Sequence, residues 1–418
     1  MARRKLQRTS RAWYFVALVA AAIAISYFDR QTLPVAISAI TRTIHISDAQ
    51  FGWLQAAFLS TYAVMYVGGG RLLDAIGTRA GFALIMIWWS LACALQGLAR
   101  GLPLLATARL LLGMGEGGGF PAATRVVAEW LPAEQRSTGM GIINAGTAVG
   151  SVLAPPLIGL ILWRGNWREV FFVSGGLGLL WAVWWLAAFR GDGPGPVSRA
   201  AEASIPWSGL LRSRRVVGLA SAKFLSDSAW YFYLFWLPKY LYDARGFDVR
   251  HVSTFGWIPY AASGVGSFLG GWYSSHLMRT GHSLNFSRKL ALGLSAALMP
   301  AVMLVPRVPV SFALVLFSVV FFGQQSWSGL IMTVPADVFP LRSVGSVAGL
   351  IGFGGAVGGA TFGVVAGELL KHGAGYSTLF FIAGSLHLLA FGIILLTSGI
   401  LRAPATEFNT GTGALVEL

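Results

Sequence analysis

The chain has 418 residues, of which 55% are hydrophobic and 11% charged, with a formal net charge of +15. That balance excludes a soluble globular domain: apolar runs of about 20 residues, long enough to cross a bilayer as helices, recur from end to end. The positive charge does not point to nucleic acid, because most Lys and Arg fall in short loops on one side of those runs.

In chain order, the basic N-terminus MARRKLQRTSRAW and the apolar run after it look like a secretion signal. The run is long, carries Asp29 and Arg30 and lacks a convincing cleavage site, so it reads as a retained first span. The first span covers Trp13 to Ile37, the second Ala49 to Gly70 and the third Ala80 to Ala99. The fourth covers Pro103 to Val127, the fifth Thr138 to Leu162 and the sixth Val170 to Phe189. A polar segment rich in Gly, Pro, Ser and Arg follows up to Arg215. The seventh span covers Val216 to Leu241, the eighth Val252 to His276 and the ninth Arg288 to Val305. The tenth covers Val310 to Pro335, the eleventh Val344 to Leu370 and the twelfth Thr378 to Leu401. The reading is therefore an all-α membrane protein. It has an N-terminal six-helix half (1–189), a cytoplasmic linker (190–215), a C-terminal six-helix half (216–401) and a cytoplasmic tail (402–418). The even-to-odd connections and the N-terminus, with Arg3, Arg4, Lys5, Arg8, Arg71 and Arg79, are the basic side, which places both termini in the cytoplasm. Cys93 sits alone in an apolar run and reads as a small hydrophobe.

Charges inside the spans are costly, at least about 2.5–3.5 kcal/mol each on the lenient insertion scale, and are rarely idle. The fourth span holds Arg109 and Glu116. Their seven-residue spacing is close to two turns, so both face one side, about 10 Å apart along the axis and too far to pair directly. That face reads as the wall of a central cavity, offering a cation to an anionic substrate and a carboxylate that can take a proton. Asp29 and Arg30 lie deep in the first span and, as neighbours, point about 100° apart. Arg30 shares a face with Tyr27 and reads as the clamp on a substrate carboxylate, which a guanidinium fork matches. Tyr62 and Tyr66, one turn apart, can lend hydroxyls, and Asn144 is an amide in a Gly-rich fifth span, expected to face the cavity. In the seventh span Trp230 and Tyr231 suit a sugar face, while Asp227 has Lys223 one turn before it and reads as a structural pair near the cytoplasmic end. In the tenth, Gln324, Gln325 and Trp327 form a polar patch suited to a polyhydroxy substrate. No spacing suits a metal, and no catalytic triad, nucleotide loop or redox motif is present, so no enzyme is expected.

Two segments recur about 200 residues apart, in the same place within each half, as parallel repeats require. GRLLDAIGTR (70–79) answers to GGWYSSHLMRTG (270–281), and EWLPAEQRSTG (129–139) to DVFPLRSVG (337–345). The first of these matches the G-x-L-x-D-x-x-G-x-R loop signature, and the chain thereby resembles the major facilitator superfamily. SYFDR, RLLLGMGEGGGFPA, AWYFYLFWLPKYL and PADVFPLRSVGSVAGL make it similar to the anion:cation symporters within it, and the last two to bacterial hexuronate transporters. The resemblance implies a multi-pass, monomeric inner-membrane protein. It imports a sugar acid, foremost glucuronate or galacturonate, with H+ as coupling ion and no cofactor, by rocking one half against the other. An aldonate, an aldarate, an aromatic carboxylate or the export of a metabolite are the alternatives. By resemblance Arg109 governs anion binding and its coupling to protonation, and Glu116 carries the proton. Asp29 is either a second proton site or an ion-pair partner of Arg109. Asp74 and Arg79 belong to a gate that braces helix ends, a brace that the second copy alters by placing Ser274 where Asp74 stands.

Overall fold

A backbone in hydrocarbon must satisfy its own N–H and C=O groups, and long apolar runs do so as helices. The computed structural model describes the backbone of residues 2–131, 133–189, 207–339 and 341–401, and their side chains except those of 2–9, 70, 71, 74, 128, 133–138, 207, 208 and 341–345. The first half contains α1 (Ala2–Ile40), α2 (Asp48–Ile76), α3 (Thr78–Gly97), α4 (Leu102–Glu116), α5 (Gly119–Trp130), α6 (Ala133–Arg164) and α7 (Trp167–Ala188). The second contains α8 (Trp207–Arg212), α9 (Arg214–Arg245), α10 (Val249–Phe255), α11 (Ile258–Arg279), α12 (Leu284–Ala297), a 3₁₀ segment (Met299–Arg307), α13 (Val310–Val338), α14 (Leu341–Lys371) and α15 (Tyr376–Thr397).

The ends follow local chemistry. A capping box, Ser47 with Gln50, opens α2, and Gly77 at φ +80° turns the chain directly into α3. Three expected spans are interrupted. The fourth breaks at Gly117–Gly118 into α4 and α5, inside a glycine run that forms helix poorly. The eighth breaks at Gly256–Trp257, just ahead of Pro259, into α10 and α11. The ninth leaves α-helical geometry at Ala297, because Pro300 lacks the N–H that would continue the ladder, and goes on as the 3₁₀ segment.

The halves repeat one packing scheme. In the first, α1 packs on α6, α3 on α7, and α2 on α4. In the second, α9 packs on α14, α15 on the 3₁₀ segment and α12, and α11 on α13. Between them α2 meets α14, α6 meets α10 and α11, and α1 meets α9. Twelve membrane spans thus form two pseudo-symmetric six-helix bundles. Among the described residues, eight segments are long and apolar enough to cross a membrane by composition alone; α2, the α4–α5 pair, α9 and α11 are not among them. Three of those four bring most of the polar groups to the centre.

The bundle has a proximal end, where α1 begins, and a distal end, where α1 runs into α2. Among the described residues the hydrogen bonds and ion pairs that join the halves both lie at the distal end. Lys239 Nζ of α9 meets Asp48 Oδ1 of α2 at 2.7 Å, and the Tyr242 hydroxyl donates to Val35 O at 2.7 Å. Backbones also touch there: a Cβ built on Gly52 would stand 2.3 Å from Gly363 O, so only glycine fits. At the proximal end two described clusters each lie within one half. Glu129 Oε1 accepts from Thr78 and Arg125 at 2.6 and 2.8 Å, and Arg288 Nε donates to Asp337 Oδ2 at 2.7 Å.

Candidate functional site

The site is built on α1, α2 and α4 of the first half. Close packing makes it possible: a Cβ on Gly113 would lie 2.0 Å from Phe58 O, so α4 rests directly on the α2 backbone. Glu116 is the last residue of α4 and reaches α1. Its Oε2 accepts from Arg30 Nε at 2.8 Å and from the Ser26 hydroxyl at 2.7 Å, while Oε1 has no partner. The Arg30 guanidinium lies 4.4 Å from the centre of the Tyr27 ring and 4.7 Å from that of Tyr62, an aromatic cage that favours a cation. Its NH1 has no partner. Arg109 donates from NH2 to Gln55 Oε1 and lies 4.8 Å from the Phe58 ring; its Nε and NH1 have no partner, and it is wholly buried. Asp29 points the other way, as its place beside Arg30 requires. Its Oδ1 accepts from the Ser174 hydroxyl of α7, and its Oδ2 is unpartnered.

Each guanidinium and carboxylate at this centre thus keeps at least one unpaired polar atom. An unsatisfied buried donor or acceptor costs about 1–3 kcal/mol, more when charged. Arg109 has no carboxylate partner among the described residues. The separation of Arg109 from Glu116 along α4 is seen in their partners: one meets Gln55 and the other Arg30.

The second half supplies an opposing wall. Tyr231 packs against the backbone of α14, where a Cβ on Gly359 would fall 2.2 Å from its ring, and Trp230 lies 5.6 Å from Phe321 of α13. Across from them the Tyr62 and Tyr66 rings are 5.8 Å apart, and Tyr66 rests on Gly352 of α14. Gln324 is fully buried with both amide atoms unpartnered, and Gln325 is half-buried.

Two expected site residues are not brought to this cluster. Trp327 is fully buried within the second half, 5.4 Å from His387 of α15. Asn144 is exposed and donates to Met140 O of its own helix at 3.0 Å. Arg79 donates to Leu186 O at 2.7 Å and so ties α3 to the end of α7; the Asp74 side chain lies outside those described. Ser274, its counterpart, accepts from Arg288 NH1 at 3.0 Å, so the second half braces itself with an Arg–Asp pair, Arg288 and Asp337, instead. Ser26, which shares the Arg30 face by helical spacing, is brought to the cluster as Glu116's second donor. Sequence reasoning did not single out Gln55 and Ser174, the neutral partners of Arg109 and Asp29.

Lys223 and Asp227 form the expected pair, at 2.7 Å. Asp227 lies one turn before Tyr231, whose ring stacks on Phe235, and Phe235 lies 6.3 Å from Phe58 of α2. Asp227 lies against α14, 2.2 Å from where a Cβ on Gly355 would stand.

Two parallel six-helix bundles with charged side chains held inside the spans are the architecture of a secondary carrier. The sequence profile of the Major Facilitator Superfamily matches residues 19–363, and the chain belongs to that family. It is a membrane transporter and not an enzyme. It is 29% identical over 416 residues to the hexuronate transporter of Escherichia coli (strain K12), covering 94% of this chain and 95% of that one. It is 32% identical over 307 residues to the galacturonate transporter of Dickeya chrysanthemi, covering 69% and 88%. Among solved structures, a bacterial homologue of the human lysosomal transporter Spinster superposes with a TM-score of 0.75 at 18% identity, covering 92% of this chain and 96% of that one.

Proposed function

We propose that the chain is a proton-coupled symporter that imports a hexuronate, glucuronate or galacturonate, across the cytoplasmic membrane. The observation that carries this reading is a pair of fully buried arginines with free N–H groups, one of them, Arg109, lacking any carboxylate partner among the described residues. Buried cations of that kind suit an anion, and a guanidinium suits a carboxylate best. The aromatic and amide groups of the opposing wall suit the hydroxyl-bearing body of a sugar acid. Similarity to transporters named for hexuronate and galacturonate supports the same substrate class.

The coupling follows from competition between two carboxylates for one guanidinium. Glu116 holds Arg30 while it is ionised. A proton on Glu116 releases Arg30 to the substrate, and substrate on Arg30 removes the cation that keeps Glu116 ionised. The two ligands therefore favour one another, and the effect is reciprocal. Arg109 supplies the second cation, and Asp29, held by Ser174 on the α7 side of α1, is a further proton site. The excess of basic residues at the proximal end supports a cytoplasmic placement of that end and of both termini. The distal contacts would then close the outer side, and the conformation described would be the inward-facing one.

The test is uptake of labelled glucuronate into proteoliposomes under an inward proton gradient. Accumulation is expected, with competition by galacturonate. Glu116→Gln is expected to abolish gradient-driven accumulation while retaining counterflow, because a fixed neutral side chain leaves Arg30 free but cannot cycle a proton. Uptake indifferent to the gradient would sink the coupling; accumulation of another anion in place of glucuronate would sink the substrate.

A further inference from the structure

Lys223 and Asp227 sit one turn apart on α9, so their pair ties no two helices together. An i,i+4 pair contributes little, less than the desolvation of its two charges costs. Stability therefore does not account for it. Its surroundings do point to a ligand. Lys223 Nζ also takes the Ser328 hydroxyl of α13 at 3.0 Å, which uses two of its donors inside the wall. Asp227 Oδ2 makes no hydrogen bond among the described residues. The carboxylate abuts bare α14 backbone at Gly355, one turn before Tyr231, whose ring stacks on Phe235 and so leads to Phe58 of the other half, 6.3 Å from Phe235. On α13, Phe321, Gln324 and Ser328 follow at helical spacing on one face. Phe321 meets Trp230 and Ser328 meets Lys223, so Gln324, with its unpartnered amide, belongs to the same wall.

We propose that Lys223 and Asp227 form a charge-selective subsite in the second half. Asp227 masks the Lys223 ammonium, so the wall opposite the arginines is neutral overall and presents a carboxylate oxygen to the hydroxyls of a monoanionic sugar acid. A second carboxylate at that end, as in an aldarate, meets Asp227 and is rejected; the discrimination is built from a repulsive element. This inference rests on the sugar-acid reading above.

The experiment is competition against labelled glucuronate in proteoliposomes, with unlabelled glucuronate and the dicarboxylate galactarate, read as the ratio of their inhibition constants. In the wild type galactarate is expected to compete the more weakly. Asp227→Asn unmasks the ammonium and is expected to move the ratio towards galactarate by about tenfold, a change on the scale of one close charge. Lys223→Gln leaves the carboxylate unmasked and is expected to move the ratio the other way, which keeps the idea testable if Asp227→Asn does not reach the membrane. A double Lys223→Gln/Asp227→Asn protein lacks both the repelling carboxylate and the unmasked ammonium, and its ratio is expected to fall between those of the wild type and Asp227→Asn. A folded, transporting Asp227→Asn protein with an unchanged ratio overturns the subsite while leaving the carrier intact. A wild-type protein that glucuronate does not engage overturns the substrate reading, and this one with it.

Discussion

Two buried ion pairs stand on either side of the interface, and they are built differently. Arg30–Glu116 joins α1 to α4 at 2.8 Å, with side chains 1% and 0% exposed. Lys223–Asp227 stays within α9 at 2.7 Å, with side chains 7% and 9% exposed. The first is a structural joint as well as a site: taking away either partner strands a charge between helices. In the second the acid lies on the same helix as its base, so Asp227 can change its charge without parting two helices, and only the Lys223 bond to Ser328 of α13 leaves the helix. On the function proposed above, the first converts protonation into a change of contacts and the second tunes what the cavity accepts.

The comparison sharpens most at the arginines. Arg30→Ala is expected to abolish uptake and also to destabilise the protein by about 3–5 kcal/mol, since it leaves the Glu116 carboxylate buried and unpaired. Thermal unfolding in detergent, followed alongside uptake, measures both. Arg109→Ala is also expected to abolish uptake, but at a smaller cost of about 1–3 kcal/mol, because the group it strands, Gln55, is a neutral amide. Equal losses of stability in the two variants would mean that Arg109 holds a charge partner comparable to Glu116.

How much of this the chain announces depends on the kind of signal. Charges inside apolar runs are loud, so Asp29, Arg30, Arg109 and Glu116 are legible, and the seven-residue spacing rightly separates Arg109 from Glu116. The spans are legible too, except where glycine or proline interrupts a run that hydropathy sees as continuous, at Gly117–Gly118, at Gly256 and at Pro300. What is not legible is which face of an amphiphilic run looks inward. Trp327 packs beside His387 within the second half, although it reads equally well as a cavity residue. Spacing likewise reveals the Lys223–Asp227 pair, whereas only the ring contacts from Tyr231 through Phe235 to Phe58 of α2 show that this stretch of α9 looks towards the first half.

The smallest expected effect concerns the distal end, where the halves are latched rather than coupled. Lys239 bridges Asp48, whose side chain is 34% exposed, so screening limits the link to about 0.2–1 kcal/mol. The close approach of Gly52 to Gly363 and the hydrogen bond from Tyr242 to Val35 remain when the lysine is removed. Lys239→Ala is therefore expected to loosen the distal closure without abolishing it, raising the distally open population about two- to fivefold. Spin labels at Arg42→Cys and Arg250→Cys, on opposite halves and in a Cys93→Ala background, would register this as growth of a longer distance component. A much larger shift would mean that Lys239 carries the closure itself, and the glycine contacts would then follow from closure instead of holding it.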